Sequence, residues 1–280
     1  MKPGSEHVPL TRAGFTLVEL VVVVAMVWLL ATMLAPTMAR TKPNSASFQC
    51  QNNLRQLVFA WKMYADDNNG DLVYNRSGGV GQSLGSETWV GGWLDYTAST
   101  DNTNTGLLID HDNYPYCAFL GPYIKTPLAF KCPADRSTAP MAGGPMPRVR
   151  SVSINNCVGT GSSTWPKYDP RFPLCSNVAK IKSPAYMFVF LDEREDSIND
   201  GCFSTAPNTL YQMVDYPASY HDNAGGFSFA DGHAEIHRWK DRRTMPCLQP
   251  GQLLMLNVNL SGDKDVLWLA QHAAGVLSYP

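Results

Sequence analysis

Residues 15–35 form a run of 21 in which Glu19 is the only charged side chain. As a helix the run would extend about 31 Å at 1.5 Å per residue, close to the hydrocarbon thickness of a bilayer. No second run of this kind occurs in the 280 residues. Lys2 and Arg12 precede it, which by the positive-inside tendency keeps the leader cytoplasmic and exports the rest. Arg40 and Lys42 follow it and weaken that asymmetry. A cleaved secretory signal has a shorter apolar core followed by small residues. Thr37-Met38-Ala39 offers such a cut site, and an uncleaved signal anchor is the other simple alternative. Neither explains the acid.

A carboxylate in a membrane helix is costly and is retained where it has a partner. Cleavage between Gly14 and Phe15 would supply one, an α-amine about one helical turn from Glu19 that can neutralise it within or between chains. The cut would also remove the charged leader and free the helix to pack beside identical helices. The segment Arg12-Ala13-Gly14-Phe15-Thr16-Leu17-Val18-Glu19-Leu20 closely resembles the class III signal of type IV prepilins and type II secretion pseudopilins. The resemblance implies that a prepilin peptidase cleaves after Gly14 and methylates Phe15, and that Glu19 aligns subunits during assembly. Pro36 resembles that family's proline at the outer end of the helix, where a missing N–H permits a kink.

Beyond the run, Leu54, Leu57, Val58, Trp61, Tyr64 and Ala65 recur at steps of three and four, the stripe of an amphipathic helix. Packing within the molecule is the expected use of that stripe; a surface for partner subunits is the alternative. The helix should stop at Asn69-Gly70. A calcium loop ending at Gly70 would need ligands at Ala65, Asp67 and Asn69, and Ala65 cannot supply one. Residues 72–130 read as long loops with short strands, in which Trp89 and Trp93 are either packed or form a sugar platform. "FKCPAD" (130–135) reads as a strand ending in a turn, and "RVRSVSINN" (148–156) as a short strand. "AYMFVFLDE" (185–193) reads as the central strand. Asp192, Glu193, Glu195 and Asp196 follow as a solvated strand end or a cation site. Twenty prolines and 22 glycines without a period fit a loop-rich body that contains strands. Net charge is −2, so nucleic acid is not an expected partner.

Seven cysteines occur, none in a C-x-x-C pair. In an exported body they allow up to three disulfides, with Cys117/Cys132 and Cys157/Cys175 as neighbouring pairs; buried free thiols are the alternative. In "YHDNAGGFSFADGHAEIHRW" (220–239), Phe227 and Phe229 alternate on one strand, Asp231-Gly232 is a type I′ hairpin signal, and the return strand carries Ile236 and Trp239. His221, nine intervening residues and Asp231-Gly232 resemble the H-X9-DG domain, which accompanies prepilin-type N-termini in large bacterial paralogue families. "CQNNLRQL", "FKCPAD" and "RSVSINN" resemble the same family. His233, Glu235 and His237 share one strand face and suit zinc, with His221 and Asp231 as further donors. A polar hairpin face is the simpler expectation, so no cofactor is required, with zinc or calcium as the alternative.

Together these features predict an α+β fold: a long N-terminal transmembrane and amphipathic helix on an antiparallel sheet with large loops, pilin-like in architecture. The expected segments are a leader (1–14), a transmembrane helix (15–36), its amphipathic continuation (37–69), a periplasmic H-X9-DG domain (70–245) and a C-terminal tail (246–280). The expected function is a non-enzymatic pseudopilin-like subunit of a type II secretion or type IV pilus-like system in the bacterial inner membrane. Its partners would be prepilin peptidase, other pilin-like subunits and the assembly platform. No G-x-S-x-G, phosphate loop or H-E-x-x-H motif is present. A membrane-tethered carbohydrate- or metal-binding protein, using the signal only for delivery, is the rival. A metal-dependent hydrolase is a weaker third reading.

Overall fold

The computed structural model describes residues 16–76, 85–160, 174–207, 209 and 211–276; within the first helix the side chains of residues 30–45 lie outside the description. The chain divides into two compact units, Met1–Asn44 and Ser45–Pro280. Helix α1 is Leu17–Asp67. In the first unit its early side chains are exposed and apolar, from Leu17 at 79% to Trp28 at 70%. Its first turn closes a reciprocal cap. The Thr16 hydroxyl accepts the Glu19 N–H at 3.3 Å, and the Glu19 carboxylate accepts the Thr16 N–H at 2.8 Å and its hydroxyl at 2.7 Å. Gly14 and Phe15 lie outside the described residues. Among the described residues, no helix is long and apolar enough to cross a membrane.

The second unit is α+β. Its strands are β1 (Thr138–Met141), β2 (Gly144–Pro147), β3 (Val152–Asn155), β4 (Phe188–Asp192), β5 (Cys202–Phe203), β6 (Gln212–Met213), β7 (Ala224–Phe229), β8 (Ala234–Arg238) and β9 (Val258–Asn259). Short helix α2 is Gly106–Ile109 and α3 is Lys264–Ala274. The main sheet has the order β5-β3-β4-β7-β8, antiparallel except for the β3/β5 pair. β4 is central and buried throughout, as its apolar run requires.

Two cores cover the two faces of this sheet. On one, the α1 stripe of Leu54, Leu57, Val58, Trp61 and Ala65 packs with Val189 and Phe190 of β4. A register shift between Phe188 and Phe190 accompanies the placing of these consecutive residues in the same core. On the other, Val266, Leu269 and Ala273 of α3 pack on Phe188, Leu191 and Phe227. The expected C-terminal tail (246–280) is corrected where it is described, because α3 supplies one cover of the sheet. α1 ends where expected: Asn69 and Gly70 adopt φ of 58° and 85°, and the Gly70 N–H closes on the Ala65 carbonyl at 2.8 Å.

Three local expectations are corrected. Residues 127–130 of the "FKCPAD" approach form a 3-10 turn rather than a strand. Pro127 presets its first dihedral, and the Thr126 hydroxyl caps it from Leu128 N–H. The β7–β8 connection is not type I′. The Phe229 carbonyl accepts the Gly232 N–H at 2.8 Å, and Gly232, but not Asp231, takes a positive φ, at 107°. That is a type I turn followed by a left-handed glycine, and the Asp231 carboxylate fixes it by accepting the His233 N–H at 3.0 Å. The acids after β4 are not a solvated end: Asp192, Glu193 and Asp196 are each at most 1% exposed.

Candidate metal centre

Four side chains from separate parts of the chain converge beneath α1. Cys50 lies one turn before Leu54 on the buried face of the helix. Cys132 follows the 3-10 turn and is held by its own N–H, which donates to the Ser151 hydroxyl at 2.8 Å. Asp192 ends β4. His221 stands just before β7, in a turn completed by Asp222 and Asn223 with φ of 56° and 62°. The donor atoms of Cys50, Cys132, Asp192 and His221 all lie within 4.8 Å of one another. The Cys50 thiol donates to Asp192 Oδ2 at 2.6 Å, Cys132 Sγ is 3.3 Å from His221 Nε2, and His221 Nε2 is 3.9 Å from Asp192 Oδ2.

Burial is the largest influence on Asp192 and His221. It pushes the Asp192 carboxyl up to about 7, against thiol and hydroxyl contacts that favour the anion. Contact with Cys132, burial and the Asp192 charge hold the Cys50 thiol well above its ordinary value. The Cys50 contact pulls Cys132 down, but burial and Asp192 outweigh it, so that thiol is also raised. Burial lowers His221. The cluster without metal therefore holds protonated thiols beside a neutral imidazole. Two sulfurs, an imidazole nitrogen and a carboxylate are donors suited to a borderline-soft divalent cation, and such an ion would displace the thiol protons.

The sequence-derived donors are divided differently by the fold. Among the described residues, His233, Glu235 and His237 do not meet as a shared site. His233 stacks on Phe229 at 4.2 Å and contacts Asp231 Oδ1 through Nδ1 at 2.7 Å. His237 stacks on Trp268 at 3.7 Å, with Glu235 at 3.8 Å. These rings cover α3 and the hairpin, which is why they are not free to converge. His221 and Asp231 also part company: the histidine enters the buried cluster, while the Asp231-Gly232 turn docks on α1. There Lys62 Nζ donates to the Asp231 carbonyl at 3.0 Å, and Phe59 lies beside Gly232.

Of the other acids, Asp196 pairs with Arg194, whose Nη2 donates to Oδ2 at 2.9 Å. Glu193 accepts the Ser153 and Ser197 hydroxyls at 2.6 and 2.7 Å. At the helix end, Asp67 accepts the Tyr123 hydroxyl at 2.9 Å instead of opening a calcium loop. Cys50, Cys117, Cys132, Cys157, Cys202 and Cys247 are free thiols, and Cys132 has Cys50 rather than Cys117 as its neighbour. The sequence spacing of Cys50, Cys132 and Asp192 does not group them; the one sequence signal is that Cys50 and Cys132 sit in segments of the same resemblance as His221, and Asp192 carries none. No protein-family model matches the chain, and no curated protein or solved structure matches it.

Proposed function

We propose that the chain is a pilin-like structural subunit of a type II secretion or type IV pilus-like system. It is made as a precursor, cleaved after Gly14, N-methylated at Phe15 and held in the bacterial inner membrane by residues 15–36. Its body lies in the periplasm, and its N-terminal helix is drawn by the assembly platform among other pilin-like subunits. The observation that supports this reading is the start of α1. Leu20, Val21, Val22, Val23 and Val24 are consecutive and all at least 45% exposed, so the apolar surface is not confined to one face of the helix. A helix that is apolar all round needs cover on every side, which lipid or sister helices provide. The Thr16–Glu19 cap is compatible with this role. Cleavage would create the new amine one residue before Thr16 in the chain.

The carbohydrate form of the rival reading has little support. Trp89 is 0% exposed and stacked on Phe130, leaving only Trp93 of the pair partly at the surface. N-terminal sequencing of the membrane-bound form tests the proposal. N-methyl-phenylalanine at position 15 is expected, and Glu19→Ala should abolish cross-linkable assembly while leaving the body folded and membrane-retained. A mature chain beginning at Lys2 or Arg40 would refute it.

A further inference from the structure

We propose that Cys50, Cys132, Asp192 and His221 form a closed zinc(II) site that clamps α1 to the sheet. Zinc–ligand bonds of about 2.0–2.3 Å place neighbouring donors of a tetrahedron roughly 3.3–3.8 Å apart. The Cys132–His221 separation of 3.3 Å already fits that frame, and the His221–Asp192 separation of 3.9 Å has to close slightly. The 2.6 Å Cys50–Asp192 contact is a thiol hydrogen bond, which has to open by roughly 1 Å once the ion replaces its proton.

Three other buried acids are held differently from Asp192. Asp196 has a guanidinium, Asp265 accepts the Lys240 and Asp241 N–H groups at 2.7 Å each, and Asp215 accepts Ser204 N–H at 2.6 Å. Among the described residues the Asp192 carboxylate receives neither a guanidinium nor a backbone N–H; the Cys50 thiol at 2.6 Å, the Cys132 thiol and the Ser151 hydroxyl at 3.5 Å reach it, with His221 facing it. Glu193 also lacks both, but two serine hydroxyls satisfy it, whereas Asp192 faces two sulfurs and an imidazole with which it can share a cation. Space is reserved for it as well. A Cβ on Gly226 of β7 would lie 2.7 Å from Cys50 Sγ and 3.0 Å from Asp192 Oδ2.

The donor set chooses the metal. Two thiolates and an imidazole select zinc over calcium or magnesium, which prefer oxygen. Four protein ligands leave no open position, so the site holds structure rather than activating water. A Cys50–Cys132 disulfide would use only the two sulfurs and leave Asp192 and His221 unexplained. The ion has an entrance, because Cys132 also lines a cavity of about 370 Å³ with Gln49, Asn53, Lys131 and Pro133.

The test uses the full chain, purified in detergent through a histidine-free tag and dialysed against metal-free buffer. Elemental analysis should give about one zinc per chain. Cys132→Ser and His221→Ala should lower zinc affinity by roughly tenfold or more, whereas Cys117→Ser should not. Cobalt(II) in place of zinc should give a thiolate charge-transfer band that is lost in Cys50→Ser. If these variants fail to fold, wild-type protein decides: Cys50 and Cys132 should become alkylatable only after a chelator is added. The proposal is overturned by metal-free protein with Cys50 and Cys132 recovered as a disulfide. Alkylation at the same rate with and without chelator overturns it too, as does zinc that survives both substitutions.

Discussion

Gly226→Ala isolates the closeness of α1 to the sheet. Gly226 lies in β7 opposite Ile236, and its φ is not positive, so alanine meets no backbone strain there. The added methyl would instead lie 2.7 Å from Cys50 Sγ, 2.7 Å from Leu54 Cδ1 and 3.0 Å from Asp192 Oδ2. Non-bonded carbon contacts are best near 3.5–4.0 Å, so the helix has to withdraw by roughly 1 Å. Overpacking of this kind costs about 1–3 kcal/mol. Restricting the unfolded chain returns about 0.4–1 kcal/mol, which leaves a net loss of about 1–2 kcal/mol. For a body of this size, with about 2–4 °C per kcal/mol, the melting temperature should fall by about 2–8 °C. The control is Gly143→Ala in the β1–β2 turn, where nothing lies within 4 Å of the added carbon and φ is also not positive; it should be neutral or slightly stabilising. Both variants would be melted in detergent with chelator present, so that metal affinity does not enter. Equal melting temperatures for Gly226→Ala, Gly143→Ala and wild type would refute the claim that the helix is seated directly on this strand.

His272 should make the body acid-sensitive. Its ring lies 4.0 Å from Trp268 and 3.8 Å from Tyr186, and burial, with His237 nearby, lowers it to about 4 despite the Trp268 carbonyl and Glu235. The unfolded chain then binds a proton that the folded chain refuses, so this contribution is whole above pH about 6.5 and is lost as pH falls towards about 4. At 1.36 kcal/mol per pKa unit the ceiling is about 3 kcal/mol. His272→Phe keeps a ring in the stack and should flatten the wild-type fall in denaturation midpoint over that range; parallel curves would reject the assignment. Trp89→Phe should cost about 2 kcal/mol in urea denaturation, through the lost indole hydrogen bond to the Gly201 carbonyl at 2.8 Å and a smaller ring. That carbonyl keeps its bond from Ile154 N–H at 2.9 Å, so a loss much above that figure would show that ring packing rather than the hydrogen bond governs the site.

The features legible in the sequence were those set by local repetition or local backbone chemistry. The apolar stripe from Leu54 to Ala65, the helix stop at Asn69-Gly70, the buried β4 run and the β7–β8 pairing each depend on neighbours a few residues apart. The I′ assignment failed at one residue, because the Asp231 side chain bonds to its own turn and keeps a negative φ. Local polarity misplaced the acids after β4. An acidic run reads as solvent-facing, but Arg194, Ser153 and Ser197 reach Glu193 and Asp196 inside the fold. Tertiary structure alone made α3 a cover for the sheet, since this amphipathic helix has no visible partner until Phe188 and Phe227 are placed beneath it. It likewise decided the metal centre. His221 looked like a companion of His233 and His237 because they are near in sequence, whereas a side chain's coordination partners are fixed by distance in space. Cys50 is 142 residues from Asp192, and Cys132 is 89 from His221, and only the packing of helix on sheet brings all four within reach of one ion.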